Sequence, residues 1–190
     1  MTLAVLRRWL KVPDPTALTA RDTLQRWLGF ADVLRDVERS EVFAFRWEEA
    51  VAARGILERL ATDTNLLQNP NKHCFEIAVG SEALHPRGNV WVLTHEAGNG
   101  ADIGSVLERR RLVDGEPPQV ARGVLWELTG PTDRGTLSRM AAEIAETRER
   151  RAGLLANPHL ENVTIFSDAP TAMDMAEAFV WESAEAEELR

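Results

Sequence analysis

The sequence predicts an α+β protein built from two similar units, and three observations support this. The segment Leu66–Asn71, Leu-Leu-Gln-Asn-Pro-Asn, returns later in the chain as Leu154–His159, Leu-Leu-Ala-Asn-Pro-His. In both copies a helical pattern precedes the leucine pair, and Asn-Pro stops it because proline cannot continue a helix. In both copies a short alternating apolar run follows. A repeat of this kind predicts a duplicated structural unit.

Composition and charge set the class of protein. The chain has 190 residues, 44% of them hydrophobic and 27% charged, which is typical of a globular protein with one ordinary domain or two small ones. The formal net charge is -8. Nucleic acids and anionic membranes require a clustered positive surface. We therefore exclude both as main partners.

The first residues and the single cysteine bear on the cellular compartment. Cys74 is the only cysteine, which excludes an internal disulfide and a cysteine-rich zinc site. The apolar run Met1–Leu6 is too short for a signal peptide. Elsewhere no run approaches the roughly 20 apolar residues that cross a bilayer. The sequence predicts a soluble, cytoplasmic protein.

The first unit opens with a strand and a helix. Alternation of apolar residues predicts a strand over Leu3–Val12, although Arg8 interrupts its apolar face. Thr16 is a suitable cap for the helix that follows, and Gly29 is placed as its stop. The apolar face of this helix comprises Ala20, Leu24, Trp27 and Leu28.

The rest of the first unit reads strand, strand, helix, strand. Val33–Val37 predicts a weak strand and Val42–Trp47 a strong one, joined as a hairpin that turns near Arg39 and Ser40. A helix over Glu48–Leu66 and a strand over His73–Val79 complete the unit.

The second unit repeats this order after a linker. Asp133 or Thr132 is a suitable cap for its longer helix, which Asn157-Pro158 stops. The predicted elements are a strand Val90–Thr94, a turn Gly98–Gly100, a helix Ile103–Leu112, a poorly marked strand Pro117–Ala121, a strand Val124–Leu128, the capped helix and a strand Val163–Phe166.

The tail predicts an amphipathic helix with an acidic end. Met173, Met175 and Phe179 recur among Glu and Ala. We expect it to dock on the body of the protein or its oligomer, because helices that lie on membranes are usually basic. The predicted organisation is a first unit at 1–79, a linker at 80–89, a second unit at 90–168 and a helical acidic tail at 169–190.

The element order is typical of a ferredoxin-like βαββαβ unit, a four-stranded antiparallel sheet with both helices on one face. The other face of each sheet is then bare, with Trp9 and Trp47 as side chains that could point there. A bare apolar face is usually covered by a partner. The sequence thus predicts a pseudo-dimer of antiparallel sheets that cover each other, with the helices on the outer faces.

The sequence contains no clear catalytic or metal-binding pattern. A metal site needs three or four converging ligands, often at paired spacing, and the histidines do not show it. Cys74 has only Lys72 as a basic neighbour, which favours an inert thiol. The histidines are His73, His85, His95 and His159.

A glycine-rich loop and several carboxylates are the remaining candidates for functional residues. Gly98–Gly104 follows a strand and opens a helix, the context in which backbone N–H groups can hold a phosphate. Its spacing is not G-x-G-x-x-G, and Asn-Gly is an ordinary turn signal. Glu48, Glu143 and their neighbours fit solvated helix faces. We therefore predict no catalytic, cofactor-binding or metal-binding residue and no cofactor.

The first unit resembles the PurS family, the small subunit of bacterial phosphoribosylformylglycinamidine synthase. The residues that carry the resemblance are Lys11, Asp14-Pro15, Leu28–Phe30, Val37–Phe45 and Leu66–Pro70. The second unit is similar mainly at Leu154–Pro158, Glu161-Asn162 and Val163–Phe166.

The resemblance implies a function without an active site. PurS-like proteins are single-unit chains that associate as dimers and higher oligomers and bridge a glutaminase and a synthetase subunit, between which ammonia passes. This chain would be a tandem duplicate in an ATP- and glutamine-dependent ligase complex, itself associating as a homo-oligomer. One alternative is a tandem ferredoxin-like regulatory module that binds a small ligand in the groove between the units or at Gly98–Gly104. A third reading is an enzyme of the dimeric ferredoxin-like type.

Overall fold

One antiparallel sheet of six strands organises the molecule, in the order β3-β1-β2-β5-β4-β6. The computed structural model describes residues 1–131, 133–148 and 153–181. The strands are β1 Thr2–Leu10, β2 Asp36–Trp47, β3 His73–Val79, β4 Val90–His95, β5 Gln119–Thr129 and β6 Asn162–Phe166. The helices are α1 Pro15–Arg26, α2 Ala53–Asp63, α3 Ala101–Arg109, α4 Arg134–Ala145 and α5 Ala172–Ala178. The prediction of an α+β protein is confirmed.

Helix α1 begins and ends earlier than the sequence pattern predicts. Its cap is Asp14 rather than Thr16, because the Asp14 carboxylate accepts hydrogen bonds from the N–H groups of Thr16 and Ala17. The helix ends at Arg26, so Trp27 leaves the helical register and is 80% exposed. The prediction that Trp27 lies on the buried face is wrong.

Strand β2 is continuous where the sequence predicts a hairpin. It runs through Arg39 and Ser40 without a turn, pairing with β5 from Asp36 to Arg46 and with β1 from Glu41 to Trp47. In the second unit the two predicted strands around Pro117–Ala121 and Val124–Leu128 are likewise one strand, β5. Each unit therefore contributes three strands, and the four-stranded ferredoxin-like order is not confirmed.

The repeated Leu-Leu-x-Asn-Pro segments form loops rather than helix ends. Helices α2 and α4 stop at Asp63 and Ala145. Each loop places one leucine in the core, Leu67 in the first unit and Leu155 in the second.

Both repeated segments then make the same turn. The side-chain oxygen of Asn69 accepts a hydrogen bond from Asn71 N at 2.9 Å. That of Asn157 accepts one from His159 N at 3.1 Å. The repeat in sequence is therefore also a repeat in local structure.

The two units join edge to edge through β2 and β5. The pairing runs antiparallel from Asp36 opposite Thr129 to Arg46 opposite Gln119. The strand order is symmetric about this junction, with β3-β1-β2 on one side and β5-β4-β6 on the other. An approximate two-fold axis therefore passes between β2 and β5, and the units share one sheet.

Helices α1 to α4 lie on one face of this sheet, because side chains alternate between faces along each strand. Helices α2 and α3 cover one apolar cluster, which includes Phe43 and Phe45 of β2. Helices α1 and α4 cover a second cluster, which includes Trp126 and Leu128 of β5. Each helix pair therefore combines one helix from each unit.

The opposite face is covered by the C-terminal helix and part of the linker. Met175 of α5, Phe179 directly after it and the linker residue Leu84 pack on Val42, Leu125 and other apolar residues of the sheet. The predicted face-to-face packing of two sheets is thus wrong, since the units extend one sheet and α5 takes the second face. Residues 182–190 of the predicted tail helix lie outside the described residues.

The structure separates the two tryptophans that the sequence grouped. Trp47 lies on the helix-bearing face, where it is 4% exposed and stacks on Phe45 with ring centroids 5.8 Å apart. Trp9 alternates to the other face with Arg7, whose guanidinium lies 5.2 Å from the indole centroid. The prediction that Trp9 and Trp47 both lie on a bare face that the second unit covers is not confirmed.

Candidate functional site

A polar strip separates the two apolar clusters on the helix-bearing face. Arg8 of β1, Arg39 and Glu41 of β2 and Arg122 of β5 point toward the helices, in register with the apolar residues around them. We call the groove above these four residues the central groove. It crosses the two-fold axis between the helix pairs.

Glu41 is the centre of the strip and joins the two units. Its Oε2 accepts a hydrogen bond from Arg8 Nη2 at 2.7 Å and one from Arg122 Nη2 at 2.8 Å. Burial raises the pKa of Glu41, but the charge of Arg8 and hydrogen bonds from Arg122 and Arg8 outweigh it and hold the pKa below its ordinary value. This carboxylate stays ionised and is a poor base.

Aromatic rings fix the guanidinium groups of the strip. The Phe43 ring lies 5.0 Å from the Arg8 guanidinium and 5.6 Å from that of Arg122. Arg39 lies 5.8 Å from the Trp126 ring. Cation–π contacts of this kind contribute about 0.5–1 kcal/mol each at exposed sites. The arrangement holds positive charge in place at the junction of the units.

Two cavities open from the central groove, and both border Arg39 and Glu41. One has a volume of about 260 Å³ and includes Arg8 and His73 in its lining. The other has a volume of about 230 Å³ and includes Arg122 in its lining. The groove can therefore admit small polar groups on either side of the axis.

A buried ion pair lies on the opposite face of the sheet. Arg7 Nη1 donates to Glu127 Oε1 at 2.7 Å, and both side chains are almost fully buried. Arg7 Nη2 donates to the His85 carbonyl at 2.9 Å, and its Nε lies 2.9 Å from Glu76 Oε1. The pair links β1 to β5 and ties the linker to the sheet.

The second oxygen of Glu127 is also occupied. Oε2 accepts from Arg87 N at 2.9 Å and from Trp91 Nε1 at 3.0 Å. The pKa of Glu127 is raised above its ordinary value, because burial outweighs the charge of Arg7 and the N–H donors, which lower it. Since every contact is a donor, the site binds the carboxylate form. The pair is a structural contact between the two units.

His95 binds the segment that follows helix α5. Its Nε2 accepts a hydrogen bond from Val180 N at 3.0 Å, and its ring centroid is 4.8 Å from that of Phe179. His95 is 2% exposed, and burial lowers its pKa from the ordinary value of 6.5. The neutral ring is required, because a protonated Nε2 cannot accept.

We expect the docking of α5 to weaken in mild acid. Because the folded pKa of His95 is depressed, its contribution to stability is present above about pH 6.5 and is lost as the pH falls through the folded value. The indole N–H signal of Trp181, which donates to the Ala176 carbonyl at 2.8 Å, reports docking by NMR. In His95→Gln, whose amide oxygen can accept from Val180 N without titrating, this signal should lose its pH dependence. An unchanged pH profile in that variant would contradict the assignment.

The other residues that the sequence singled out make structural contacts. The Nδ1 atom of His73 accepts from Asn69 N at 3.0 Å. His85 Nδ1 lies 3.0 Å from Glu76 Oε2, and His159 is exposed. Cys74 is a free thiol of intermediate exposure. Among the described residues, no group of three or more His, Cys, Asp or Glu side chains could hold a metal ion.

The glycine-rich loop packs against β5. Gly100 caps α3 with φ of 120°, and a Cβ atom there would lie 2.8 Å from the Val120 carbonyl oxygen. Arg122 N donates to the Asn99 carbonyl at 2.6 Å. Close backbone approach therefore explains the loop's glycine at position 100.

Sequence reasoning missed Arg7, Glu41, Arg122 and Glu127 as a group. One signal was available, since charged residues stand inside otherwise apolar strand segments, and Arg8 was recognised as such an interruption. Their partners lie up to 120 positions away in sequence, as for Arg7 and Glu127. Alternation cannot identify partners at that separation.

Within the described residues no helix is long and apolar enough to cross a membrane.

Two comparisons with known proteins were made for this chain. A scan of the sequence against protein-family models finds no match, and a search of curated proteins finds none either.

Proposed function

We propose that this chain is a non-catalytic bridging subunit of a cytoplasmic phosphoribosylformylglycinamidine synthase complex. Its partners would be a glutaminase and a synthetase subunit, and its role would be to couple them so that ammonia passes between them in purine biosynthesis. The proposal rests on the PurS resemblance of the repeated segments. Within it, residues 1–79 and 90–168 each correspond to one PurS-like chain, and the tandem chain self-associates further.

The junction of β2 and β5 is the structural observation that supports this proposal. Eleven residue pairs join the two strands, from Asp36 to Arg46 on one side. Ionic contacts on both faces reinforce the junction, Glu41 with Arg122 on one and Arg7 with Glu127 on the other. One chain thereby forms a two-unit body of the kind that single-unit proteins obtain by dimerisation, which suits a bridge between two different subunits.

Glu41 and three of the histidines form contacts that stabilise the fold. Glu41 is neutralised by two arginines, and the hydrogen-bonding histidines contact Asn69 N, Glu76 and Val180 N rather than a hydroxyl or thiol. A nucleophile needs an adjacent base within hydrogen-bond reach. The proposed function requires no such pair.

Reconstitution tests the proposal. The chain is mixed with glutaminase and synthetase subunits from the same source, and conversion of formylglycinamide ribonucleotide is measured with glutamine or with ammonium chloride as nitrogen donor. We expect the chain to be required with glutamine and dispensable with ammonium, since free ammonia bypasses the bridge. Equal glutamine-dependent conversion with and without the chain would overturn the proposal.

A further inference from the structure

A cavity beside the loop between β1 and α1 has the features of a ligand site. Its volume is about 460 Å³, within the range of roughly 300–1,000 Å³ that is usual for small-molecule sites. The loop segment Lys11–Asp14 forms one wall, and Cys74 of β3 and Arg87 of the linker also line it. We call it the β1–α1 cavity. It lies at the end of the sheet, and only Trp9, Leu10, Asp14 and Arg39 of its lining also border the central groove's cavities.

Apolar side chains are exposed to solvent along this cavity. Val12 is 64% exposed and Leu18 is 39% exposed, and both are lining residues. Pro13 and Trp9 extend the apolar lining. Exposed apolar groups gathered in a concave site favour a ligand that has an apolar body.

The cationic residues of the lining are incompletely neutralised. Lys11 Nζ donates to the Pro70 carbonyl at 2.6 Å and forms no ion pair within the described residues. Arg39 lies 3.4 Å from Asp14, which is long for a charge-assisted hydrogen bond of roughly 2.7–2.9 Å. The Asp14 carboxylate is also committed to the N-terminus of α1 through Thr16 N at 2.8 Å.

The remaining charges of the lining are paired with each other. Arg87 contacts Glu38 at 2.7 Å, and Arg21 lies 3.6 Å from Asp36. Lys11 and Arg39 are therefore the two cations best able to receive a ligand. The lining carries four cationic and three acidic side chains, a small positive excess in a chain with a net charge of -8.

We propose that the β1–α1 cavity binds a small amphipathic anion, a carboxylate or phosphate monoester carried on an apolar body. Lys11 and Arg39 bind the anionic group, and Val12, Pro13 and Leu18 contact the body. This site is separate from the bridging role proposed above, because its ligand would bind whether or not the chain contacts a glutaminase or a synthetase subunit.

Calorimetry with matched probes tests the chemistry. The probes are 2-naphthoate, 2-naphthyl phosphate and the neutral 2-naphthalenemethanol, each titrated into the full chain. We expect saturable binding of an anionic probe and at least tenfold weaker binding of the alcohol, since the alcohol cannot form a charge-assisted hydrogen bond with Lys11 or Arg39. The relative affinities of the two anions distinguish a carboxylate from a phosphate site. Absence of saturable binding, or equal binding of the alcohol, overturns the proposal.

The single cysteine and the two lysines locate the bound probe. A bound anion should slow alkylation of Cys74 by iodoacetamide or shift the indole N–H signal of Trp9. Lys11→Gln should weaken binding about tenfold, whereas Lys72→Gln, the same change at an exposed residue outside the lining, should leave it unchanged. Equal loss in both variants, or binding that affects neither Cys74 nor Trp9, contradicts the site. Circular dichroism verifies that both variants fold.

Discussion

Replacing Glu127 by alanine is expected to lower the free energy of unfolding by about 3–5 kcal/mol, because it breaks a buried ion pair and leaves the Arg7 guanidinium with the Glu76 carboxylate at Nε but without the one at Nη1. Arg7 has no exposed side-chain surface, so water cannot substitute for the lost carboxylate. The N–H groups of Trp91 and Arg87 lose an acceptor as well. Urea unfolding followed by circular dichroism measures the change.

A double variant separates the broken ion pair from the loss of packing. In Arg7→Met with Glu127→Leu both charges are replaced by apolar groups, and removal of both partners is far less costly than removal of one. We expect the double variant to recover part of the stability lost in Glu127→Ala, namely the part due to the broken ion pair, while Trp91 Nε1 and Arg87 N remain without their acceptor. A double variant as unstable as the single one would show that the pair does not act as described.

Leu24→Ala on α1 is expected to destabilise the protein by about 2–5 kcal/mol, the usual range for a fully buried leucine. Leu24 is 0% exposed and packs in the cluster that contains Val92 and Trp126 of the second unit. The loss of stability should therefore extend to β4 and β5, although the substitution lies in the first unit. Urea unfolding gives the magnitude, and hydrogen exchange in β4 shows its spread.

Leu18→Ala is the matched control on the same helix. Leu18 is 39% exposed, and substitutions at exposed sites usually change stability by no more than about 0.5 kcal/mol. A similar loss in both variants would indicate a general effect on α1. If hydrogen exchange in β4 is as slow in Leu24→Ala as in the unaltered protein, α1 does not stabilise the strands of the second unit as described.

The sequence pattern predicted most elements but not the central strand. Residues 38–41 of β2 read Glu-Arg-Ser-Glu, which resembles a turn between two apolar runs. In the structure each charged residue of this segment has a partner from another element: Glu38 with Arg87, Arg39 with Asp14, and Glu41 with Arg8 and Arg122. A polar stretch can remain a strand when tertiary partners satisfy it, and local pattern does not reveal those partners.

The sequence pattern also did not predict how the two units are arranged. Duplication was visible at the Asn-Pro segments, and the strand His73–Val79 was predicted with the bounds that the structure gives. The pattern did not show whether two sheets would stack or extend one another, because both arrangements bury an apolar face. The capping box of α5, Thr171 with Asp174, could have marked the start of the helix that covers the second face.

Hydrogen exchange at the β2–β5 junction tests most directly whether the two units share one sheet. Under native conditions, the most protected amides of β1, β2, β4 and β5 should open with one free energy, equal to that of global unfolding in urea, because the shared sheet unfolds as one cooperative unit. Two groups of amides with different opening free energies, divided between residues 1–79 and 90–168, would contradict a single continuous sheet.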